Sequence, residues 1–329
     1  MTEYRLTRRD ALAMALGGGL VLRSDGFAVA QERQRDWCPA PIGWPGMEPG
    51  DGFAIGHGFA CENTWFAVGW WHTGEDWYAI EGDTGGAHVY AVAGGEVVYA
   101  DFNYPGRVVI VQHEPNLYSM YGHLDFELEI QVGQQVMAGE TLGTILAQPD
   151  VKAPGQAPSH LHFELRTFLT RDDVNGNAPQ NGVNCGFQCP PGPGYWPIEA
   201  PNHPAEQGWR NPLLGRLDRI ELDGLELVPQ SNVVGQDVQV LAGPGLGMPL
   251  RIELRLEETT RLSVLDLIAG DPASTGTSAD AYRAWFKVAL EDGAEGWLQG
   301  AIPSNRETGS DGRPSSVDLP FLISGSSAA

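Results

Sequence analysis

Ser159-His160-Leu161-His162-Phe163-Glu164 alternates strictly between polar and apolar residues. In a strand, alternate side chains share a face, so His160, His162 and Glu164 point one way while Leu161, Phe163 and Leu165 point the other. Two imidazoles then stand on one surface with an apolar layer behind them. That arrangement suits one metal ligand and one adjacent acid/base group.

Upstream, two more stretches carry matching chemistry: His72-Thr73-Gly74-Glu75-Asp76 and Tyr121-Gly122-His123-Leu124. A hydrolytic zinc needs three protein ligands and one open position for water, and this set supplies three ligands with two imidazoles to spare. From Trp65 to about Arg166 the texture is β-rich. His88–Val92, Glu96–Phe102, Arg107–Gln112 and Leu117–His123 are short runs of Val, Ile and Tyr. Gly94-Gly95, Asn103-Tyr104-Pro105-Gly106 and Glu114-Pro115-Asn116 lie between them as turn signals. Val132 to Gly143 continues as another strand pair with glycine-marked bends. The pattern predicts antiparallel strands joined by tight turns, with no helix of useful length.

In order and spacing these stretches resemble the lysostaphin-type (LytM-like) zinc endopeptidases, exported bacterial enzymes that cut peptide bonds in peptidoglycan. The likeness rests on His72–Asp76, Val89–Ala93, Tyr121–Leu124, Val132–Val136 and His160–Glu164, about a third of the chain. It implies a mainly β, antiparallel metallopeptidase domain over residues 65–170. It implies that His72, Asp76 and His162 bind one Zn2+ per chain, which activates water for attack on a peptide bond. His160 is then the general base and His123 a second hydrogen-bonding or proton-transfer group, with the order of proton transfer between them left open. Glu164 is read either as a group orienting one of the histidines or as a solvated strand residue. His57, His88, His113 and His203 are read as structural. Some relatives use a tyrosine shortly before the first ligand to steady the oxyanion. Here Trp65 and Phe66 lack a hydroxyl, which leaves Tyr118 or Tyr121 as substitutes.

The chain has 329 residues, 42% of them hydrophobic, and a formal net charge of -22. Such an acidic chain is repelled by nucleic acid and by anionic membrane surfaces, so neither is expected as a partner. Residues 1–30 read as a twin-arginine-type signal peptide. Thr7-Arg8-Arg9-Asp10-Ala11-Leu12 precedes a weakly apolar Ala/Gly-rich stretch and the small-residue site Ala28-Val29-Ala30. The apolar run is too short to anchor the mature protein in a bilayer. Export and an even count of four cysteines favour two disulfides. Proximity suggests Cys38–Cys61 and Cys185–Cys189, among three possible pairings, with metal binding by Cys185 and Cys189 the competing reading.

Residues 31–64 are expected to form an N-terminal extension and 171–225 a Pro/Gly/Asn-rich linker. Asp172 to Asn177 faintly resembles a calcium loop but lacks its closing acid. Residues 226–305 resemble a bacterial SH3-like module, a small β-barrel, on Gly243-Pro244-Gly245, Trp285–Val288 and Gly296-Trp297. Residues 306–329 read as a mobile tail, apart from Leu319–Ile323. The expected partner is peptidoglycan or another peptide substrate; the sequence does not set the oligomeric state. Two alternatives remain: a non-catalytic scaffold or activator of wall amidases, and the same enzyme acting on extracellular protein. A biotinyl- or lipoyl-carrier reading of the Val132–Gly143 hairpin fails, because that hairpin has no acceptor lysine.

Overall fold

The apolar–polar alternation of the first half of the chain becomes a series of antiparallel strands. The computed structural model describes residues 37–63, 68–102, 106–147, 158–169, 192, 194–199, 203–270, 282–290, 293–309, 312 and 314–325. All of these lie within one compact unit, Arg35–Ala329. Its first strands are β1 (Ile42–Gly43), β2 (Phe53–His57), β3 (Trp70–His72), β4 (Glu75–Ala79), β5 (His88–Tyr90), β6 (Gly95–Phe102), β7 (Arg107–Glu114), β8 (Leu117–Leu128), β9 (Gln135–Val136), β10 (Thr141–Ile145) and β11 (Leu161–Arg166). Next come β12 (Tyr195–Pro197), β13 (Trp209–Arg210) and the short helix α1 (Pro212–Leu217). They are followed by β14 (Leu225–Pro229), β15 (Asp237–Leu241), β16 (Leu250–Arg255), β17 (Leu262–Ala269), β18 (Ala284–Ala289), β19 (Glu295–Gln299), β20 (Ile302–Thr308), β21 (Pro314–Asp318) and β22 (Phe321–Gly325).

Among the described residues, thirteen strands form one sheet, with the path β1-β5-β10-β8-β11-β4-β2-β21-β20. The strands β7, β6 and β9 continue from β8, and β13 pairs with β11. The strand β11 therefore runs between β4 and β8, and its register sets His162 opposite Asp76 on one side and Gly122 on the other. Leu161, Phe163 and Leu165 are buried in the main core beside Trp77 and Tyr121. Burial of each such leucine or phenylalanine contributes roughly 1.5–3 kcal/mol. The polar face of the strand is held in place by this apolar one.

The second sheet has the order β16-β15-β19-β18-β17-β14-β22. It contains the stretch expected to form an SH3-like barrel. Three segments expected to flank the two domains are built into the strand pairing. The proposed tail supplies β22, which pairs with β14, and β21, which pairs with β2 in the first sheet. Val317, Phe321, Leu322 and Ile323 are buried, and this apolar surface is what docks the segment. Likewise the described part of the expected linker is built into the strand pairing: β12 pairs with β3 and β13 with β11. Its helix α1 starts at Asn211, whose side chain caps the Leu214 N–H at 3.3 Å, with Pro212 in the first turn. The expected N-terminal extension supplies β2, hydrogen-bonded to β4.

The expected Cys38–Cys61 bridge is not formed. The Cys38 backbone is tied to the Val92 carbonyl and its thiol to Ala40, whereas Cys61 is tied to His72 and its thiol faces the Phe59 carbonyl. Different strands hold the two segments, and a bridge tolerates little separation of the two backbones. Cys185, Cys189 and the stretch Asp172 to Asn177 lie outside the described residues, as does the proposed signal peptide.

Candidate metal centre

His72 ends β3 and Asp76 lies in β4, with Thr73-Gly74 turning between them. Glycine is required in that turn by close approach. A Cβ on Gly74 would sit 2.4 Å from the Phe163 carbonyl oxygen and 2.9 Å from Glu164 Cγ. Without a side chain, the turn lies directly on β11 and brings His72 and Asp76 against His162. His123 is delivered differently. The β7–β8 register slips between Arg107↔Leu124 and Val109↔Tyr121, so two residues of β8 oppose one of β7, and His123 in this bulge has a φ of 66°. A left-handed non-glycine residue is strained, and a bulge re-aims the side chain it carries.

Three ring and carboxylate atoms converge. His72 Nε2 lies 3.0 Å from His162 Nδ1 and 3.2 Å from Asp76 Oδ1, and His162 Nδ1 lies 3.0 Å from the same oxygen. All three residues are buried. The other ring nitrogens fix the tautomers. His72 Nδ1 faces the Gly58 carbonyl at 3.2 Å and His162 Nε2 faces Glu164 Oε1 at 3.1 Å; both partners are acceptors, so both nitrogens carry the hydrogen. Two imidazole lone pairs and a carboxylate oxygen are thereby left pointing at one another. Only a positive charge between them relieves that contact. Neighbouring ligands on a tetrahedral zinc stand about 3.3 Å apart, close to the separations here, and the donor set of two imidazoles and a carboxylate suits that ion.

The titration behaviour agrees. Burial holds His72 down to about 4, against the pull of Asp76. Burial also works against charge on His162, but its bonds to Asp76 and Glu164 prevail and raise it to about 9. Burial would raise Asp76, yet His72, His160 and His162 bring it well below the usual carboxylate range. In metal-free protein the needed positive charge is a proton on His162, and a bound cation takes its place.

His160 stands beside this group. Its Nδ1 donates to the Pro158 carbonyl at 2.7 Å, so Nε2 carries the lone pair, 3.7 Å from Asp76 Oδ1. The His123 ring lies 4.4 Å away between centroids, and Tyr78 stacks on His160 at 5.0 Å. All five residues singled out in the sequence are thus brought to one place.

Glu164 is not a solvated strand residue: it is 2% exposed. One carboxylate oxygen accepts from His162 and from the Thr73 hydroxyl at 2.6 Å. The other accepts from Trp209 Nε1 at 3.0 Å and faces Arg166 at 3.5 Å. Burial opposes its ionisation, but His162, Arg166 and Thr73 together lower its pKa. Such a carboxylate fixes both the orientation and the basicity of a ligating histidine.

Sequence reading misses three neighbours. His57, expected to be structural, lies opposite Asp76 in the β2–β4 pairing, with its ring 4.7 Å from that of His72. Tyr195 pairs with His72 across β12–β3, with rings 5.8 Å apart, and Trp209 reaches Glu164 from β13. None belongs to a motif, and their signal lies only in strand pairing. The tyrosines offered as substitutes are excluded. Tyr121 is a core residue bonded to Val92 and Ser119, and Tyr118 packs with Val108, Ile110 and Met120.

Residues 71–179 match the model of Peptidase family M23. The matched residues contain all five candidates. Among solved structures, a zinc-containing peptidase from Vibrio cholerae is similar at 24% identity, covering 40% of this chain and 37% of that one, with a TM-score of 0.31. The antimicrobial peptidase lysostaphin from Staphylococcus simulans is similar at 15% identity over 83% of this chain and 96% of that one, TM-score 0.30. The catalytic domain of a prophage-encoded M23 protein from Enterococcus faecalis is similar at 23% identity over 39% and 86%, TM-score 0.29. This chain spans about a third of the length of the Vibrio cholerae peptidase. No curated protein sequence matches.

Proposed function

We propose that this chain is an exported zinc metallo-endopeptidase that hydrolyses peptide bonds of bacterial peptidoglycan. The observation that carries the reading is the meeting of His72 Nε2, His162 Nδ1 and Asp76 Oδ1 within 4.8 Å of one another, with the other nitrogen of each imidazole turned to an acceptor. His72, Asp76 and His162 would hold Zn2+, which when bound supplies Lewis acidity and lowers the pKa of water to roughly 7.

This chain's own residues supply the rest. His160 accepts the proton of the attacking water at Nε2, and its Nδ1 bond to Pro158 keeps that lone pair aimed into the site. His123, held in its bulge, is the second proton-transfer group and serves the departing amine. The Tyr195 phenol is raised above its ordinary range, chiefly by burial and by Asp76, so it stays an O–H donor. It takes the oxyanion-steadying role that Tyr118 and Tyr121 cannot. Glu164 holds His162 in its ligating tautomer. Peptidoglycan as substrate is supported by the M23 match together with the resemblance to lysostaphin-type enzymes. Export is supported by Arg8-Arg9 and the stretch that follows.

The test is direct. Purified protein should bind about one zinc per chain and clear peptidoglycan in a gel overlay, and chelation should abolish clearing. His162→Ala should lose both metal and activity; His160→Ala should keep the metal and lose turnover. Undiminished clearing by metal-free protein, or by His162→Ala, would sink the proposal.

A further inference from the structure

The β20–β21 hairpin carries an acidic side chain to the rim of the metal centre. Its register slips between Ser304↔Ser316 and Thr308↔Pro314, leaving extra residues on β20, and Glu307 sits in that bulge. Bulges of this kind redirect a side chain out of the sheet pattern. Here the Glu307 carboxylate lies 3.5 Å from His57 Nδ1, and the His57 ring lies 4.7 Å from that of the ligand His72. Beside His57, a Cβ on Gly56 would fall 2.4 Å from the Tyr78 ring, so that ring lies across the strand. Its other contact is the stacking on His160. The carboxylate is thus linked through His57 and the neighbouring Gly56 to the Tyr78 ring and the acid/base His160.

Glu307 does not behave as a structural ion-pair partner. Its side chain is 44% exposed. The adjacent Arg306 turns away to Asp318 and the Val317 carbonyl, and no lysine or arginine among the described residues pairs with Glu307. A half-exposed carboxylate that faces an imidazole and has no lysine or arginine partner among the described residues is the chemistry that receives an ammonium group.

We propose that Glu307, with Tyr78 as its aromatic wall, binds a primary ammonium group of the peptide substrate and so selects amine-bearing chains. The inference rests on the reading of this centre as a peptidase site. Recognition at a half-exposed carboxylate is worth about a twofold to fivefold preference.

Two measurements on the full zinc-loaded chain test it. In the first, wild type and Glu307→Gln digest native peptidoglycan and peptidoglycan whose amines have been acetylated. Wild type should solubilise the native wall about twofold to fivefold faster, and Glu307→Gln should digest both at the slower rate. In the second, His160→Ala is titrated calorimetrically with three synthetic peptides of one sequence. One has only a side-chain amine free, one only its N-terminal amine, and one has both acetylated. Tighter binding of one amine-bearing peptide, lost in His160→Ala/Glu307→Gln, identifies which amine is received. Equal binding of all three, or a preference that survives Glu307→Gln, overturns the inference. If walls are not cut but the binding preference holds, the peptidase reading fails and the ammonium site stands. If walls are cut without preference, the reverse follows.

Discussion

The metal centre is assembled from two kinds of chain. On one side β3, β4, β8 and β11 bring His72, Asp76, His123, His160 and His162, all within residues 71–179. On the other side β2, β12, β13 and β20 bring His57, Tyr195, Trp209 and Glu307 from segments read as extension, linker and tail. The first group is positioned by local rules: alternation along a strand and a tight turn at Gly74. The second is positioned by which strand pairs with which. The comparison teaches that the reactive atoms are local features here, whereas their fine placement and the shape around them depend on long-range pairing.

The comparison breaks most readily at Tyr195. If the recruited segments only pack, Tyr195→Phe should be silent. If the phenol steadies the developing charge, kcat on a peptide substrate should fall about a hundredfold, with zinc content unchanged. A steady-state assay paired with metal analysis decides this. Loss of metal together with rate would instead assign Tyr195 to packing against His72, 5.8 Å from its ring.

A smaller effect is expected where the two groups meet, at Glu164. Its oxygens join His162 and Thr73 from the motif side to Trp209 from the recruited side. In Glu164→Gln the size is kept and the charge removed, so zinc affinity should drop about tenfold or somewhat more, as for other carboxylates behind a ligating histidine. Competition with a chromogenic chelator measures it. Trp209→Phe removes one bond to that carboxylate and should move affinity in the same direction by less. An unchanged affinity in both variants would mean that the motif side holds the metal unaided.

The same division separates what is legible along the chain from what only pairing reveals. The alternation of Ser159–Glu164 announces a strand with two histidines on one face; β11 begins at Leu161, so His162 lies within it and His160 just before it. The glycine of His72–Asp76 is legible as part of a motif, but its reason, the Phe163 carbonyl 2.4 Å from a would-be Cβ, is not. Glu164 is ambiguous in sequence because strand alternation gives its face and not what covers that face. Trp209 and Thr73 cover it. The tail escapes sequence reading for a related reason: Pro314–Asp318 is polar at most positions, and only its partner β2 shows why it is ordered. Cys38 and Cys61 illustrate the same limit, since closeness along the chain does not bring them together across the sheet.

The smallest predicted effect sharpens the contrast between histidines at the centre and those in the scaffold. His113 is half-buried between the Gly94 carbonyl, 2.9 Å from Nδ1, and the Ser119 hydroxyl, 2.7 Å from Nε2. Burial lowers its pKa below the ordinary 6.5, opposed by the Gly94 bond and assisted by Arg219. A histidine depressed in the fold contributes stability that is present above about 6.5 and is lost as pH falls through the folded value, because the unfolded chain takes up the proton first. His113→Gln removes that dependence. Melting temperatures of the two proteins, followed from pH 8 downward with the metal chelated, should therefore draw together or cross below about pH 6.5. Acid also affects the ligand histidines, but they are common to both proteins, so the difference between the curves isolates His113. Curves that stay parallel would show that His113 is free to charge within the fold, and its burial would then have no energetic consequence.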